Sequence, residues 1–124
     1  MQMKKYEDMN AIELFFHYLS FNKMKLIEII NSYITRNGIA INDCIAYAYA
    51  EEYEEYEEGY FGKYGLKIVI QEPIVNKEKE EIYEIEEFLQ YIIKYYKNNY
   101  ECYSDEEKEI IEAKLKLLEN SKTV

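Results

Sequence analysis

One histidine, two cysteines and three glycines spaced three apart are the residues whose types could carry out chemistry or hold a ligand. His17 follows Glu13 by one helical turn, which offers two ligands. Zinc sites of the common kinds take three or four, and di-iron bundles need two Glu-x-x-His pairs. A Ser–His–Asp or Cys–His arrangement would also have to run through His17. The spacing instead places it as a helix residue beside Phe16 and Tyr18. Cys44 and Cys102 lie among tyrosines and glutamates. Neither has the electropositive surroundings that a thiolate nucleophile needs. Without a C-x-x-C they read as two free, half-buried thiols in a reducing compartment, a long-range disulfide being the alternative. No stretch has the alternating Asp/Asn pattern of a calcium loop. Gly59, Gly62 and Gly65 match neither G-x-G-x-x-G nor a P-loop. They predict a turn feeding a strand, or a loop that approaches a partner's backbone closely. With 25 acidic residues in 124, adjacent carboxylates such as Glu86 and Glu87 arise by chance, so no glycosidase pair stands out. The chain therefore reads as a non-enzyme with no cofactor and no metal.

Charge says more. Twenty-five Asp and Glu against 15 Lys and Arg give a net of −10. That opposes direct nucleic-acid binding, because phosphate contacts need Lys and Arg. It opposes an anionic membrane surface as well. It favours solubility and fast encounter with a basic partner. Residues 1–37 hold five basic and four acidic side chains, so the acidic field belongs to the remainder.

Within that field Tyr47 to Tyr64 stands out, with Glu51, Glu52, Glu54, Glu55, Glu57 and Glu58 between Tyr53, Tyr56 and Tyr60. Tyrosine is an effective interface residue, with a large rigid ring, a polar tip and few rotors to freeze. Carboxylates beside it can meet Lys and Arg, with bidentate pairing to Arg. Residues Glu51, Glu52, Tyr53, Glu54, Glu55, Tyr56, Glu57, Glu58 and Tyr60 are thus the candidate partner-binding set. The plain alternative is a half-core tyrosine stripe with the glutamates as its solvated face. Two further acidic stretches, at 78–87 and 101–112, fit either an interface or helix-start carboxylates.

The elements that would position this segment follow from periodicity. A length of 124 residues bounds the chain to one domain, 1–124. Residues 1–10 are polar and lack an apolar signal-like core, and no apolar run is long enough to span a bilayer, which points to the cytoplasm. Ile12, Phe15, Phe16 and Leu19 set a helix over 8–19, capped by Asp8 or Asn10. Leu26, Ile29, Ile30 and Tyr33 set a second over 22–36, stopped by Asn37 and Gly38. For 44–58 a helix places Ile45, Tyr49, Tyr53 and Tyr56 on one side. A strand competes, since Ile45, Tyr47 and Tyr49 alternate with Ala46, Ala48 and Ala50. The abundance of Ala and Glu favours the helix. Leu66, Ile68 and Ile70 alternate as a strand, 71–80 is a polar turn containing Pro73, and 81–85 alternates as a second, antiparallel strand. Phe88, Tyr91, Ile92, Tyr95 and Tyr96 set a helix of about 14 residues ending near Asn98 and Asn99. Ser104 and Glu107 form a capping box before a last helix with Ile110, Ile111, Leu115 and Leu118 inward. The end, 120–124, is expected to fray. The sum is an α+β fold with about five helices packed on a small antiparallel β-hairpin sheet.

This order of elements resembles small acidic immunity proteins of bacterial contact-dependent inhibition and related polymorphic toxin systems. The likeness lies in Tyr60-Phe61-Gly62-Lys63-Tyr64-Gly65-Leu66-Lys67-Ile68-Val69-Ile70, followed by Ile82-Tyr83-Glu84-Ile85-Glu86-Glu87-Phe88-Leu89. Two N-terminal helices and a final helix fit the same plan. The resemblance implies a cytosolic antidote that binds a toxin nuclease domain and blocks it, and it carries over no site residue. Two functions are then expected in order. The first is neutralisation of a toxin domain by occluding its basic active-site groove. The second is an acidic mimic of nucleic acid that inhibits a DNA- or RNA-binding protein.

Overall fold

The computed structural model describes residues 8–121. Most of the polar N-terminal stretch and residues 122–124 of the end expected to fray lie outside them. Within them helix continues to Ser121.

Helix α1 (Ala11–Leu19) buries Ile12, Phe15, Phe16 and Leu19, as its spacing predicts, together with Ala11 and Leu14. Asn10, not Asp8, caps it. The Asn10 side chain accepts from the Glu13 amide at 2.9 Å, and Glu13 accepts from the Asn10 amide at 3.0 Å. The two amides between are satisfied from the sheet: Ala11 N–H donates to the Glu81 carboxylate and Ile12 N–H to the Tyr83 hydroxyl. A helix start whose N–H groups are otherwise orphaned is thereby fixed to a strand 70 residues away.

Helix α2 (Lys25–Thr35) buries Leu26, Ile29, Ile30 and Tyr33. Its left-handed cap falls on Arg36 (φ 58°), before the Asn37–Gly38 pair expected to supply it. The Arg36 guanidinium lies 4.4 Å from the Tyr33 ring centroid and donates to the Tyr33 carbonyl, which holds a non-glycine residue in that conformation. Gly38 has a different task. A Cβ there would sit 1.9 Å from the Tyr47 carbonyl oxygen, so only glycine lets the two backbones pass.

The helix expected over 44–58 is absent. Ile45–Tyr49 is strand β1, Ala50–Glu52 a single 3-10 turn, and the chain then leaves regular structure until β2. The strand wins because Ile45, Tyr47 and Tyr49 are all buried, at 1%, 4% and 0% exposure. A two-residue spacing puts side chains on one side of a strand but about 200° apart on a helix. Core packing therefore overrides the helix propensity of Ala and Glu.

Strands β2 (Leu66–Ile70) and β3 (Lys79–Tyr83) complete a three-stranded antiparallel sheet of order β1-β2-β3, a strand more than the hairpin expected. β3 lies two residues earlier than its pattern suggests, because extended Glu84 already caps the next helix. Helix α3 (Ile85–Asn98) buries Phe88, Leu89, Ile92, Tyr95 and Tyr96, while Tyr91 is only half-buried. Ser104 and Glu107 make the expected capping box for α4 (Asp105–Ser121), with bonds of 2.7 and 3.1 Å. Ile111 and Leu115 face inward; Ile110 does not. The described residues thus form an α+β fold of four α-helices and one sheet.

The helices cover one face of the sheet. Phe15 is the hub: its ring lies 5.0, 5.3 and 5.5 Å from those of Phe16, Tyr47 and Phe88 in edge-on arrangements. Tyr47 shares a hydrogen bond with Ser32, the one buried polar side chain among the described residues that is not aromatic. Burial pushes the Tyr47 and Tyr49 hydroxyls well above their ordinary pKa. The opposite face carries Ala46, Ala48, Lys67, Val69, Glu80 and Ile82, all partly or fully exposed.

Candidate partner-binding face

The tyrosine- and glutamate-rich segment is a loop projecting from the end of β1 to the start of β2. Three of its glutamates fasten it. Glu51 pairs with Arg36 at 3.5 Å. The Glu52 carboxylate accepts from the Tyr49 amide at 2.6 Å and from the Gly38 amide at 3.0 Å, pinning the loop's root to the α2–β1 connection. Glu57 accepts from the Glu54 amide at 2.9 Å and closes a turn across 54–57. The other three, Glu54, Glu55 and Glu58, are exposed and have no ion pair among the described residues.

The tyrosines divide too. Tyr53 is half-buried, its ring 6.0 Å from that of Phe61 and close over Gly59, where a Cβ would meet it at 2.6 Å. Tyr60 is half-buried as well. Tyr56 is 87% exposed. The expected alignment of Tyr49, Tyr53 and Tyr56 along one helix does not occur: Tyr49 is in the core, Tyr53 packs within the loop, and Tyr56 is in solvent.

Sequence reasoning left out Tyr64, which is 86% exposed. Beside it opens a cleft of about 420 Å³, lined by Glu51, Tyr64, Gly65, Ile82, Tyr83, Glu84, Ile85 and Glu86. It sits where the loop rejoins the sheet, against the outer strand β3 and the start of α3. The one available signal was the alternation in 81–85, which puts Ile82 on the face opposite the buried side of β3. At 56% exposure Ile82 is the apolar residue that side leaves in solvent. The glycine-spaced turn feeds β2 as expected. Its close backbone approach is within the chain, however: a Cβ on Gly65 (φ 99°) would lie 2.8 Å from the Tyr83 carbonyl.

The His17 ring lies 5.3 and 5.6 Å from those of Tyr18 and Phe21. Both cysteines are free. Cys44 is half-buried with its thiol toward the Glu72 carbonyl, whereas Cys102 is exposed rather than half-buried. No described helix is long and apolar enough to cross a membrane.

The molecule therefore presents an anchored acidic loop with exposed aromatic tips, next to an apolar cleft rimmed with carboxylates. No curated protein and no solved structure matches the chain closely. The family model described as "CDI immunity protein" matches residues 8–115. That span runs from before α1 into α4 and includes the whole loop and cleft, and the chain belongs to the family of contact-dependent inhibition immunity proteins, which implies a cognate toxin as its partner.

Proposed function

We propose that this protein neutralises a toxin nuclease domain in the cytosol by covering its basic substrate groove with the loop that follows β1. The carrying observation is the division of labour among the loop's glutamates: Glu51, Glu52 and Glu57 hold the backbone, leaving Glu54, Glu55 and Glu58 outward with Tyr56 between them. A nuclease groove is cationic because its substrate is a polyanion. Carboxylates held on an anchored loop meet such a groove with little ordering left to do on binding. They also speed capture by steering. Tyr56 supplies a rigid anchor, Tyr53 and Tyr60 flank it, and a well-buried anchor of this kind contributes about 2 kcal/mol or more.

The test is the triple variant Glu54→Lys, Glu55→Lys, Glu58→Lys, titrated against the cognate toxin domain. It should bind more weakly, and the steep salt dependence of the wild-type association should disappear, with toxin activity restored in step. Unchanged affinity would remove this face from the account.

A further inference from the structure

The cleft beside the loop has a chemistry of its own. Ile82, Ile85, Tyr64 and Tyr83 give it apolar and aromatic walls, Glu51, Glu84 and Glu86 give it a carboxylate rim, and no Lys or Arg is among its lining residues. Lys67, the register partner of Ile82, is turned to Glu80 at 4.0 Å and to the Phe61 ring at 5.2 Å, and Arg36 pairs with Glu51 at 3.5 Å. At about 420 Å³ the cleft is within the range of built binding pockets. An occupant must bring apolar length to cover Ile82 and positive charge to meet the rim.

Resting on the toxin-binding role proposed above, we infer that this cleft receives an arginine side chain from the toxin, with its methylene stem against Ile82 and Ile85 and its guanidinium at the exposed Glu84. Arginine fits better than lysine. Its planar guanidinium pairs with carboxylates bidentately and stacks on aromatic faces, while its stem buries readily on apolar surface. The molecule already holds one arginine this way. Arg36 lies over the rings of Tyr33 and Tyr49, at 4.4 and 5.6 Å, and pairs with Glu51, which also lines the cleft. An arginine seated here would lie beside the loop, making one continuous footprint of loop and cleft.

The cleft can be tested without the toxin. The probe is the peptide acetyl-Gly-Arg-Gly-amide, compared with the same peptide carrying citrulline, which keeps the shape and loses the charge. Binding is followed by methyl NMR of Ile82 and Ile85. The arginine peptide should give saturable shifts at both methyls, and citrulline should give none. Glu84→Gln should weaken binding about two- to fivefold, and Ile82→Ser should abolish the saturable shift. Ile82 is mostly exposed, so its replacement leaves the core intact. Equal responses to arginine and citrulline, or non-saturating shifts spread over the acidic surface, would overturn the inference. That failure would leave the toxin-binding role standing, because the Glu54, Glu55 and Glu58 variant tests it separately.

Discussion

Tyr47 and Tyr49 lie in the core, while Tyr56 and Tyr64, further along the same tyrosine-rich segment, are 87% and 86% exposed. The residue type is the same, but alanines flank Tyr47 and Tyr49 whereas Glu55 and Glu57 flank Tyr56 and Lys63 and Gly65 flank Tyr64. The backbone separates them as well. Up to Tyr49 the chain is a strand whose two-residue period delivers each tyrosine to the helix-covered side. At Ala50–Glu52 a 3-10 turn ends that period, and the Glu52 carboxylate ties the turn to the Tyr49 amide. Beyond it each ring goes wherever the loop's own hydrogen bonds send it. Tyrosine content alone therefore does not separate core from interface here; the end of the ladder does.

The sharpest way to break this contrast is to truncate one ring from each region. Phe15→Ala, at the hub that Tyr47 packs against, should cost about 3–5 kcal/mol, read from chemical denaturation. Tyr56→Ala should stay within about 0.5 kcal/mol of wild type in the same experiment. Comparable losses would mean that the loop is part of the core.

Binding should reverse the ranking. Replacing Tyr56 and Tyr64 together by alanine should weaken toxin association by about 2 kcal/mol, roughly thirtyfold, while thermal stability stays unchanged. If affinity survives, the exposed rings are plain solvated surface.

A smaller effect separates the two regions by pH. Burial holds the Tyr47 and Tyr49 hydroxyls above their ordinary pKa, so the folded protein keeps protons that the unfolded chain releases near pH 10. Their contribution to stability is complete below that pH and falls as pH rises beyond it. Tyr47→Phe should make this alkaline decline shallower. At neutral pH it should cost about 1 kcal/mol, the worth of its bond to Ser32. Tyr56→Phe, on an 87% exposed ring, should leave stability at neutral pH within about 0.5 kcal/mol of wild type. An alkaline slope unchanged by Tyr47→Phe would contradict the burial of its hydroxyl.

Much of this fold is legible in the sequence because many of its signals are local. The stripes of α1, α2 and α3 and the Ser104 capping box each lie within a few residues of one another. The segment 44–58 misleads because its decisive partner is remote. Ile45, Tyr47 and Tyr49 are strand residues only once β2 lies alongside and Phe15 and Phe88 close over them. The same remoteness hides Glu81 and Tyr83 as caps for α1. It also hides the cleft, whose walls come from residues 51, 64–65 and 82–86. Composition did mark the acidic tyrosine segment. It carried no information on which glutamates would be spent on Gly38, Tyr49 and Arg36.

Amide hydrogen exchange on the complex with the cognate toxin domain tests the central claim most directly. The account predicts added protection at 53–65 and 82–86, with the α1–α2 turn around Phe21 and Met24 exchanging as in the free protein. Protection confined to that turn, with the loop and cleft unchanged, would contradict it.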